Sequence, residues 1–268
     1  MIFCRLPILP IFLCAFFKPS FALEILAEIN PPSIYQTKEG KIRGYFHDYV
    51  AEILARAQLD AEIRAIPWKR AYAKTLENSD TALFPTARTA QREKLFKWVG
   101  PIGVSYWSFF RKNNDPLDIN SLEEARSGGP IGVVLGSARE AYLKQLNFKN
   151  LVPAYNHEQL HTLLIKGRIR LIASSEVTTL NHLRQKNEPL DSLERLHDYR
   201  TCFLYLALNR DTPDSLVSSL QKALDDIRKN GRLQEIRQSN APPLDRANKR
   251  SLDATLDPEN SGKGCFQE

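Results

Sequence analysis

Two histidines and a glutamate have the spacing of a zinc-binding helix. The segment His157-Glu158-Gln159-Leu160-His161 reads H-E-x-x-H, in which two imidazoles at i and i+4 share a helix face and the glutamate can act as a base. Glu176 could supply a third ligand. Against this interpretation, Asn156 is a good N-cap, which would put His157 in the first helical turn. We therefore expect no metal and no cofactor, and keep a zinc hydrolase using His157 and His161 as the weaker alternative.

A second candidate is the segment Gly136-Ser137-Ala138, which follows an apolar run and precedes a helical pattern. A strand-to-helix turn directs backbone N–H groups and the positive end of the helix dipole toward an anion, and glycine allows a ligand to approach closely. Ser137 would equally serve as an ordinary N-cap. The segment predicts either an anion-binding turn or a simple capped helix.

Composition and motif content exclude several classes of function. The chain has 268 residues, of which 25% are charged and 43% hydrophobic, so wholesale disorder, collagen-like repeats and coiled coil are ruled out. The formal net charge of +6 is spread along the chain, and we therefore expect no nucleic-acid partner. The sequence contains no Gly-x-Ser-x-Gly, no phosphate-binding loop of the Walker type and no Cys-x-x-Cys.

Residues 1–22 predict a cleaved export signal. Arg5 precedes an apolar run from Leu6 to Phe17, and Ser20 and Ala22 occupy the small-residue positions that a signal peptidase reads, which leaves Leu23 as the first mature residue. The run is shorter than the ~20 residues that a membrane span requires. We expect a periplasmic protein.

Removal of this signal would leave two cysteines, Cys202 and Cys265. An even number in an oxidising compartment predicts that they pair, which would tie the C-terminal tail to the body of the protein. The alternative is a buried free Cys202 and an unpaired thiol in the tail. Apolar periodicity stops near Ala241, and we expect residues 241–268 to form a mobile polar tail.

Between the signal and the tail, predicted strands alternate with predicted helices. The strands are Leu23–Ala27, Ala61–Ile66, Thr81–Phe84, Ile131–Leu135 and Ile169–Ala173. The helices are His47–Ala57, Lys69–Leu76, one from Ser137 to about Leu146, Glu158–Lys166 and Pro213–Lys229. This alternation predicts an α/β fold with a mainly parallel sheet.

A series of short segments carries a recognisable family pattern. The segments are, in order, Pro32–Tyr35, Glu39–Ile42, Gly44–Tyr49, Pro67–Ala71, Asn78–Ala82, Arg88–Phe96, Trp98, Gly100–Ile102, Val133–Ser137, Leu163–Ile169, Tyr205–Leu208 and Asn230–Leu233. The most characteristic is Arg88–Phe96, which reads Arg-Thr-Ala-Gln-Arg-Glu-Lys-Leu-Phe. In this order the segments resemble family 3 of the extracellular solute-binding proteins, which serve polar amino acid ABC transporters. The resemblance covers residues 23–240 and implies the type II periplasmic binding fold.

In that fold two lobes, each a mainly parallel sheet flanked by helices, are joined by a two-strand hinge. The resemblance implies that residues 23–107 begin lobe 1, residues 112–200 form lobe 2 and residues 205–240 return to lobe 1. The hinge strands would fall near Tyr106–Arg111 and Arg200–Leu208. A solute that contacts both lobes would favour the closed state by its differential affinity.

By the same resemblance, Arg92 corresponds to the arginine that binds the solute's α-carboxylate, a planar bidentate contact that suits a guanidinium. Ser137 and Ala138 would supply lobe 2's backbone contact to the same carboxylate. Thr89 corresponds to a hydroxyl of the family beside this arginine. Arg88 could add a second donor or be simply exposed. Tyr35 and Trp68 could form apolar walls for the solute or belong to the core.

The chain departs from the family where the solute's ammonium group would bind. Ser175 stands at the position of the expected aspartate, with Glu176 next to it, and Glu28 at the end of the first strand could substitute. Because an unpaired ammonium in a closed cleft is costly, an amino-acid solute requires Glu28 or Glu176 to face it. Otherwise the resemblance implies a plain organic acid or another anion.

We therefore expect a monomeric, non-enzymatic protein that captures a small carboxylate-bearing solute, an amino acid or a relative, and delivers it to an ABC transporter permease. Two further alternatives remain open. One is a dehydratase-like enzyme on the same fold, with Glu28 or Glu176 as general acid. The other is a sensor that presents its closed form to a membrane receptor.

Overall fold

The computed structural model describes residues 23–240. The expected export signal and the expected mobile tail lie outside the described residues. The strands are β1 (Leu23–Ala27), β2 (Tyr35–Gln36), β3 (Ile42–Arg43), β4 (Ala61–Ala65), β5 (Thr81–Ala87), β6 (Phe96–Lys112), β7 (Ile131–Val134), β8 (Leu151–Ala154), β9 (Leu171–Ser174) and β10 (Leu193–Asn209). The helices are α1 (Tyr45–Arg56), α2 (Trp68–Glu77), α3 (Leu122–Ser127), α4 (Ala138–Gln145), α5 (His157–Ile165), α6 (Glu176–Gln185), α7 (Asp214–Lys229) and α8 (Arg232–Asn240), with a 3₁₀ turn at Glu93–Leu95.

Eight of the strands form one ladder in the order β4-β1-β5-β10-β6-β9-β7-β8. The pairs β1–β4 and β1–β5 are parallel at one end, and β7–β8 and β7–β9 are parallel at the other. The central strands β6 and β10 run antiparallel to each other and to their outer neighbours β9 and β5. Two parallel sheets are thus joined by two long strands, which confirms the predicted two-lobed α/β class.

The two connecting strands are longer than the sequence analysis predicted. Strands β6 and β10 have 17 residues each and pair from Leu193 opposite Lys112 to Asn209 opposite Phe96. The pairing shifts register between Arg195 and Asp198, a break that bends a ladder locally. The predicted hinge segments lie inside these strands. The exact lobe boundaries stay a prediction.

Each lobe has its own apolar core. In the first lobe, helix α7 buries Leu220, Leu224 and Ile227 at i, i+4 and i+7 against residues of β1, α1 and β6. In the second lobe, Phe109 and Phe110 point to opposite faces of β6 and anchor two separate clusters. Because the cores are separate, each lobe can move as a body about the two connecting strands.

Cys202 lies in β10, is fully buried and takes part in a disulfide. Its expected partner Cys265 lies outside the described residues, so the pairing of the two stays a prediction. Between residues 23 and 240, no helix is long and apolar enough to cross a membrane.

Candidate functional site

Arg92 is the most deeply placed of the predicted ligand residues. It lies in the turn between β5 and the 3₁₀ turn, where its backbone N–H donates to the Thr89 carbonyl at 2.9 Å. The residue is only 7% exposed, and its guanidinium carbon lies 5.3 Å from the ring centre of Trp68 and 5.0 Å from that of Tyr72. Burial lowers the pKa of Arg92, because it penalises the charged form. Two aromatic rings of α2 therefore hold this guanidinium in place.

The polar partners of Arg92 carry no formal charge: two backbone carbonyls at long distance, and the Tyr72 side chain, which favours the charged form of Arg92. Nη1 donates to the Ala87 carbonyl and Nη2 to the Gly136 carbonyl, each at 3.4 Å. Among residues 23–240, no carboxylate forms a salt bridge with this guanidinium. A buried cation without an anionic partner is costly. The position therefore suits an anionic ligand.

The Arg92 side chain lies where the two lobes meet. Gly136 belongs to the second lobe, and its carbonyl also accepts a hydrogen bond from the Trp68 indole at 3.1 Å. Nearby, the Gln91 amide donates to the Gln145 amide oxygen at 3.1 Å. These contacts join residues of the two lobes, so the structure shows a closed arrangement with Arg92 at the contact.

The turn at Gly136 is a capped helix start. Gly136 has a φ of +75°, and its N–H donates to the Glu140 carboxylate at 2.5 Å. Ser137 is the N-cap of α4, since its hydroxyl accepts from the Glu140 N–H at 3.2 Å. Glu140 reaches back over the helix start and also pairs with Lys144 at 2.8 Å. Of the two alternatives left open by the sequence, the structure thus shows a capped helix start at Ser137. Ala138, the next residue, is buried.

Arg88 has a partner in its own lobe. Its guanidinium donates to both oxygens of Glu93 at 2.6 and 2.8 Å, and this contact raises the pKa of Arg88. The same group lies over the rings of Trp98 and Tyr205. Arg88 is therefore engaged by Glu93 and is not a second carboxylate donor beside Arg92. Thr89 does lie beside Arg92, since its carbonyl accepts from the Arg92 N–H.

Glu28 and Glu176, the two acids expected near an ammonium group, lie in different environments. Glu28 follows β1, where it accepts from the Trp68 backbone N–H while burial raises its pKa to about 7. Glu176 begins α6 and forms an ion pair with Arg195 at 2.8 Å. Ser175 is the N-cap of that helix. Glu176 thus already forms an ion pair. Glu28 is only partly ionised at neutral pH, because its pKa is about 7.

Of the two expected aromatic walls, only Trp68 contacts Arg92. Tyr35 lies in the β2–β3 hairpin and is 40% exposed. The second wall is Tyr72, which the sequence analysis did not single out. Trp68 and Tyr72 are four residues apart on α2 and so share a helix face, a spacing that was readable in the sequence.

The Glu158 and His161 side chains of the H-E-x-x-H segment are engaged in other contacts. Asn156 is the N-cap of α5, which confirms that His157 lies in the first turn. His161 is fully buried, its Nδ1 is 2.7 Å from the His157 carbonyl, and its ring stacks on His182 with ring centres 4.0 Å apart. Glu158 is paired with Lys186 at 2.6 Å. No group of three metal-ligating side chains occurs in the described part of the chain.

Comparisons with known proteins agree on the fold. No curated protein sequence matches the chain. A histidine kinase sensor domain with similarity to periplasmic binding proteins has a TM-score of 0.75 at 18% identity, covering 82% of this chain and 96% of that one. The arginine-, lysine-, histidine-binding protein ArtJ from Geobacillus stearothermophilus has a TM-score of 0.73 at 17% identity, covering 85% and 98%. An ancestral arginine-binding protein bound to arginine has a TM-score of 0.72 at 18% identity, covering 83% and 99%.

The profile of the bacterial extracellular solute-binding proteins, family 3, matches residues 23–241, which include all of the described residues. The two-lobed architecture and the position of Arg92 at the contact between the lobes agree with this match. The chain therefore belongs to the bacterial extracellular solute-binding proteins of family 3.

Proposed function

We propose that this protein captures a small carboxylate-bearing solute between its two lobes, with Arg92 as the main partner of the carboxylate, and delivers it to the permease of an ABC transporter. The observation that carries the proposal is the Arg92 guanidinium, which is buried at the contact between the lobes and forms no ion pair within residues 23–240. A carboxylate placed there would replace two long contacts to carbonyls with a charge-assisted pair.

Closure would couple solute binding to a change of shape. The Gly136 carbonyl, which belongs to the second lobe, accepts from both Arg92 and Trp68, which belong to the first. A solute that reaches both lobes adds contacts available only in the closed state, and so shifts the equilibrium by its differential affinity. The closed form is then the signal that a membrane partner recognises. Export to the periplasm as a monomer, through the signal at residues 1–22, is part of the same proposal.

The test is a thermal-shift screen of amino acids and organic acids, followed by calorimetry on those that stabilise the protein. A solute at 100 times its dissociation constant should add ~2.7 kcal/mol to the free energy of unfolding. Replacing Arg92 with alanine should cost ~2–5 kcal/mol of binding, because the desolvated carboxylate loses its partner. The matched control is Arg88→Gln, which removes a nearby guanidinium already paired with Glu93 and should leave affinity unchanged. Unchanged affinity in folded Arg92→Ala protein would remove Arg92 from the site.

The similarity to a histidine kinase sensor domain favours a second candidate, in which the closed form reports the solute to a membrane receptor. The two functions differ in what is lost when the gene is deleted. Loss of uptake of the labelled solute supports transport, whereas unchanged uptake with a lost transcriptional response to the solute supports sensing. We propose no catalytic step. Recovery of a chemically altered solute after incubation would favour the dehydratase-like alternative, in which Glu28, with its pKa near 7, is the available acid.

A further inference from the structure

A second guanidinium lies without an acidic partner on the other side of the contact between the lobes. Arg139 is in the first turn of α4, and its guanidinium carbon is 5.3 Å from the ring centre of Trp107. Nη2 donates to the Ser105 hydroxyl at 3.1 Å, while Nε is buried and has no hydrogen-bond partner. Within the described chain, no carboxylate forms a salt bridge with Arg139. Burial lowers the pKa of Arg139.

A phenol with an unused hydroxyl lies beside the same tryptophan. The Tyr199 ring, on β10, stacks on Phe109 with ring centres 4.5 Å apart and lies 6.3 Å from the ring of Trp107. Its hydroxyl is buried and has no hydrogen-bond partner. Burial raises the pKa of Tyr199, and the Arg139 charge acts against that rise. Arg139 and Tyr199 thus both pack against Trp107.

A histidine lies within electrostatic range of Arg139. His157 begins α5, and its buried Nδ1 has no hydrogen-bond partner. Strands β7 and β8 are adjacent and parallel, so the helices that follow them, α4 and α5, begin at the same edge of the sheet. Burial, and then the charge of Arg139, lower the pKa of His157 to about 3, so its ring is neutral. A neutral imidazole can still donate one hydrogen bond.

Arg139 and Tyr199 share one neighbour, Trp107, and each has a buried polar atom without a hydrogen-bond partner. A buried donor without a partner lowers stability. Water can satisfy a phenol, but it does not neutralise the guanidinium of Arg139. An anionic group beside Arg139 would neutralise this charge and could also accept a hydrogen bond from the Tyr199 hydroxyl.

Arg139 and Arg92 approach the same contact from opposite lobes. Ala87 of β5 packs against Ala138 of α4 in a small cluster with Trp107 and Cys202. Arg92 donates to the Ala87 carbonyl, and Arg139 directly follows Ala138. Of the two acids expected to hold an ammonium group, Glu176 is bound to Arg195, and Glu28 is only partly ionised at neutral pH because burial raises its pKa to about 7. Two arginines without an acidic partner therefore stand against one weakly ionised acid.

We propose that Arg139 and Tyr199 form a second anion subsite of the interlobe site, and that the solute is a small dicarboxylic acid whose two carboxylates are held by Arg92 and Arg139. This inference rests on the proposed function, because it assigns the first carboxylate to Arg92. The arrangement does not require an α-ammonium group on the solute.

The test is calorimetry with acids of matched chain length: pentanoate, glutarate, glutamine and glutamate. Glutarate should bind at least about tenfold more tightly than pentanoate, since a hydrogen-bonded charge contact is worth about 1.5–3 kcal/mol. Glutarate should also bind at least as well as glutamate. Arg139→Gln should weaken glutarate about 10- to 100-fold and leave pentanoate unchanged. Arg126→Gln, which removes a guanidinium of α3 paired with Glu123, is the matched control.

Tyr199→Phe keeps the buried ring and removes only the hydroxyl, so it tests the subsite if Arg139→Gln fails to fold. It should weaken glutarate more than pentanoate. If glutamine or pentanoate binds in an Arg92-dependent way and glutarate binds no more tightly, the subsite proposal is wrong. The proposed function is then still supported. Equal weakening of glutarate and pentanoate by Tyr199→Phe also overturns the subsite. Glutarate binding that depends on Arg139 but not on Arg92 supports the subsite and removes the role proposed for Arg92. Failure of all four acids to bind overturns the dicarboxylate assignment, whatever other solute the wider screen finds.

Discussion

Mild acid should destabilise the fold through the histidine cluster formed by His157, His161 and His182. Burial is the main reason that the pKa of His161 falls to about 4 and that of His157 to about 3, below the ordinary value of 6.5. Arg139 and the other two histidines add to the effect on His157, and His182 adds to that on His161. In the unfolded chain these rings take up protons as the pH falls through 6.5, whereas in the folded protein they stay neutral. Stability is therefore lost below pH 6.5.

The magnitude follows from the two pKa values of each ring. Between pH 7 and pH 5 each of His157 and His161 should cost about 2 kcal/mol of the free energy of unfolding, so the pair costs at most about 4 kcal/mol. Glu28 acts with the opposite sign. Because burial raises its pKa to about 7, the folded protein binds its proton first, and acidification over the same interval should stabilise the fold by roughly 2 kcal/mol.

Because these contributions oppose each other, the measurement compares variants at both pH values. Urea denaturation followed by tryptophan fluorescence at pH 7 and pH 5 gives the change in unfolding free energy for each protein. His161→Gln removes one titrating ring and should reduce the acid-induced loss by about 2 kcal/mol. His197→Gln, the same substitution outside the cluster, is the control for the effect of the substitution itself. A His161→Gln protein with the same acid-induced loss as the wild type would refute the assignment of that loss to buried neutral histidine.

Three further changes test the closed state and the local structure. Trp68→Phe removes the indole hydrogen bond between the lobes and should weaken solute binding by about 1 kcal/mol in calorimetry, with the unfolding free energy of the empty protein nearly unchanged. Gly44→Ala should cost about 3 kcal/mol in urea denaturation, since the added Cβ would lie 2.3 Å from the Ser33 carbonyl oxygen at a φ of +123°. Gly167→Ala, at a φ of +69° in open space, is its control and should cost only about 1 kcal/mol. Asn156→Ala should cost about 1 kcal/mol by the same method, because α5 loses its N-cap, and equal stability would show that the cap is not needed.

Local signals in the sequence were enough for several helix starts and for the family, although α3, α6 and α8 were not predicted. Asn156 was predicted as an N-cap, and Ser137 as one of two alternatives, because a cap is made within four residues of chain. The Arg88–Phe96 segment led to the family for a similar reason, since it holds Arg92 in one short turn. The length of β6 and β10 was missed, because their central residues pack at the junction of two lobes and lack the alternation of an exposed strand.

The partners of charged residues were harder to predict. Glu176 was expected to face a solute, but it pairs with Arg195, which is brought to it only when β10 folds back beside the second lobe. The sequence analysis did not single out Arg139, because an arginine near a helix start is usually exposed. Its burial depends on Trp107 and Tyr199, which belong to β6 and β10.

The sequence by itself therefore determined the α/β alternation and the family, because each depends on residue types at short, regular spacing, and it predicted Arg92 as a ligand residue from the same kind of signal. Only the tertiary structure decided which charges are already neutralised and which are not. An ion pair or an unsatisfied donor is a relation between side chains that are far apart in the chain, and burial, which sets its cost, exists only once the two lobes and the strands between them have packed together.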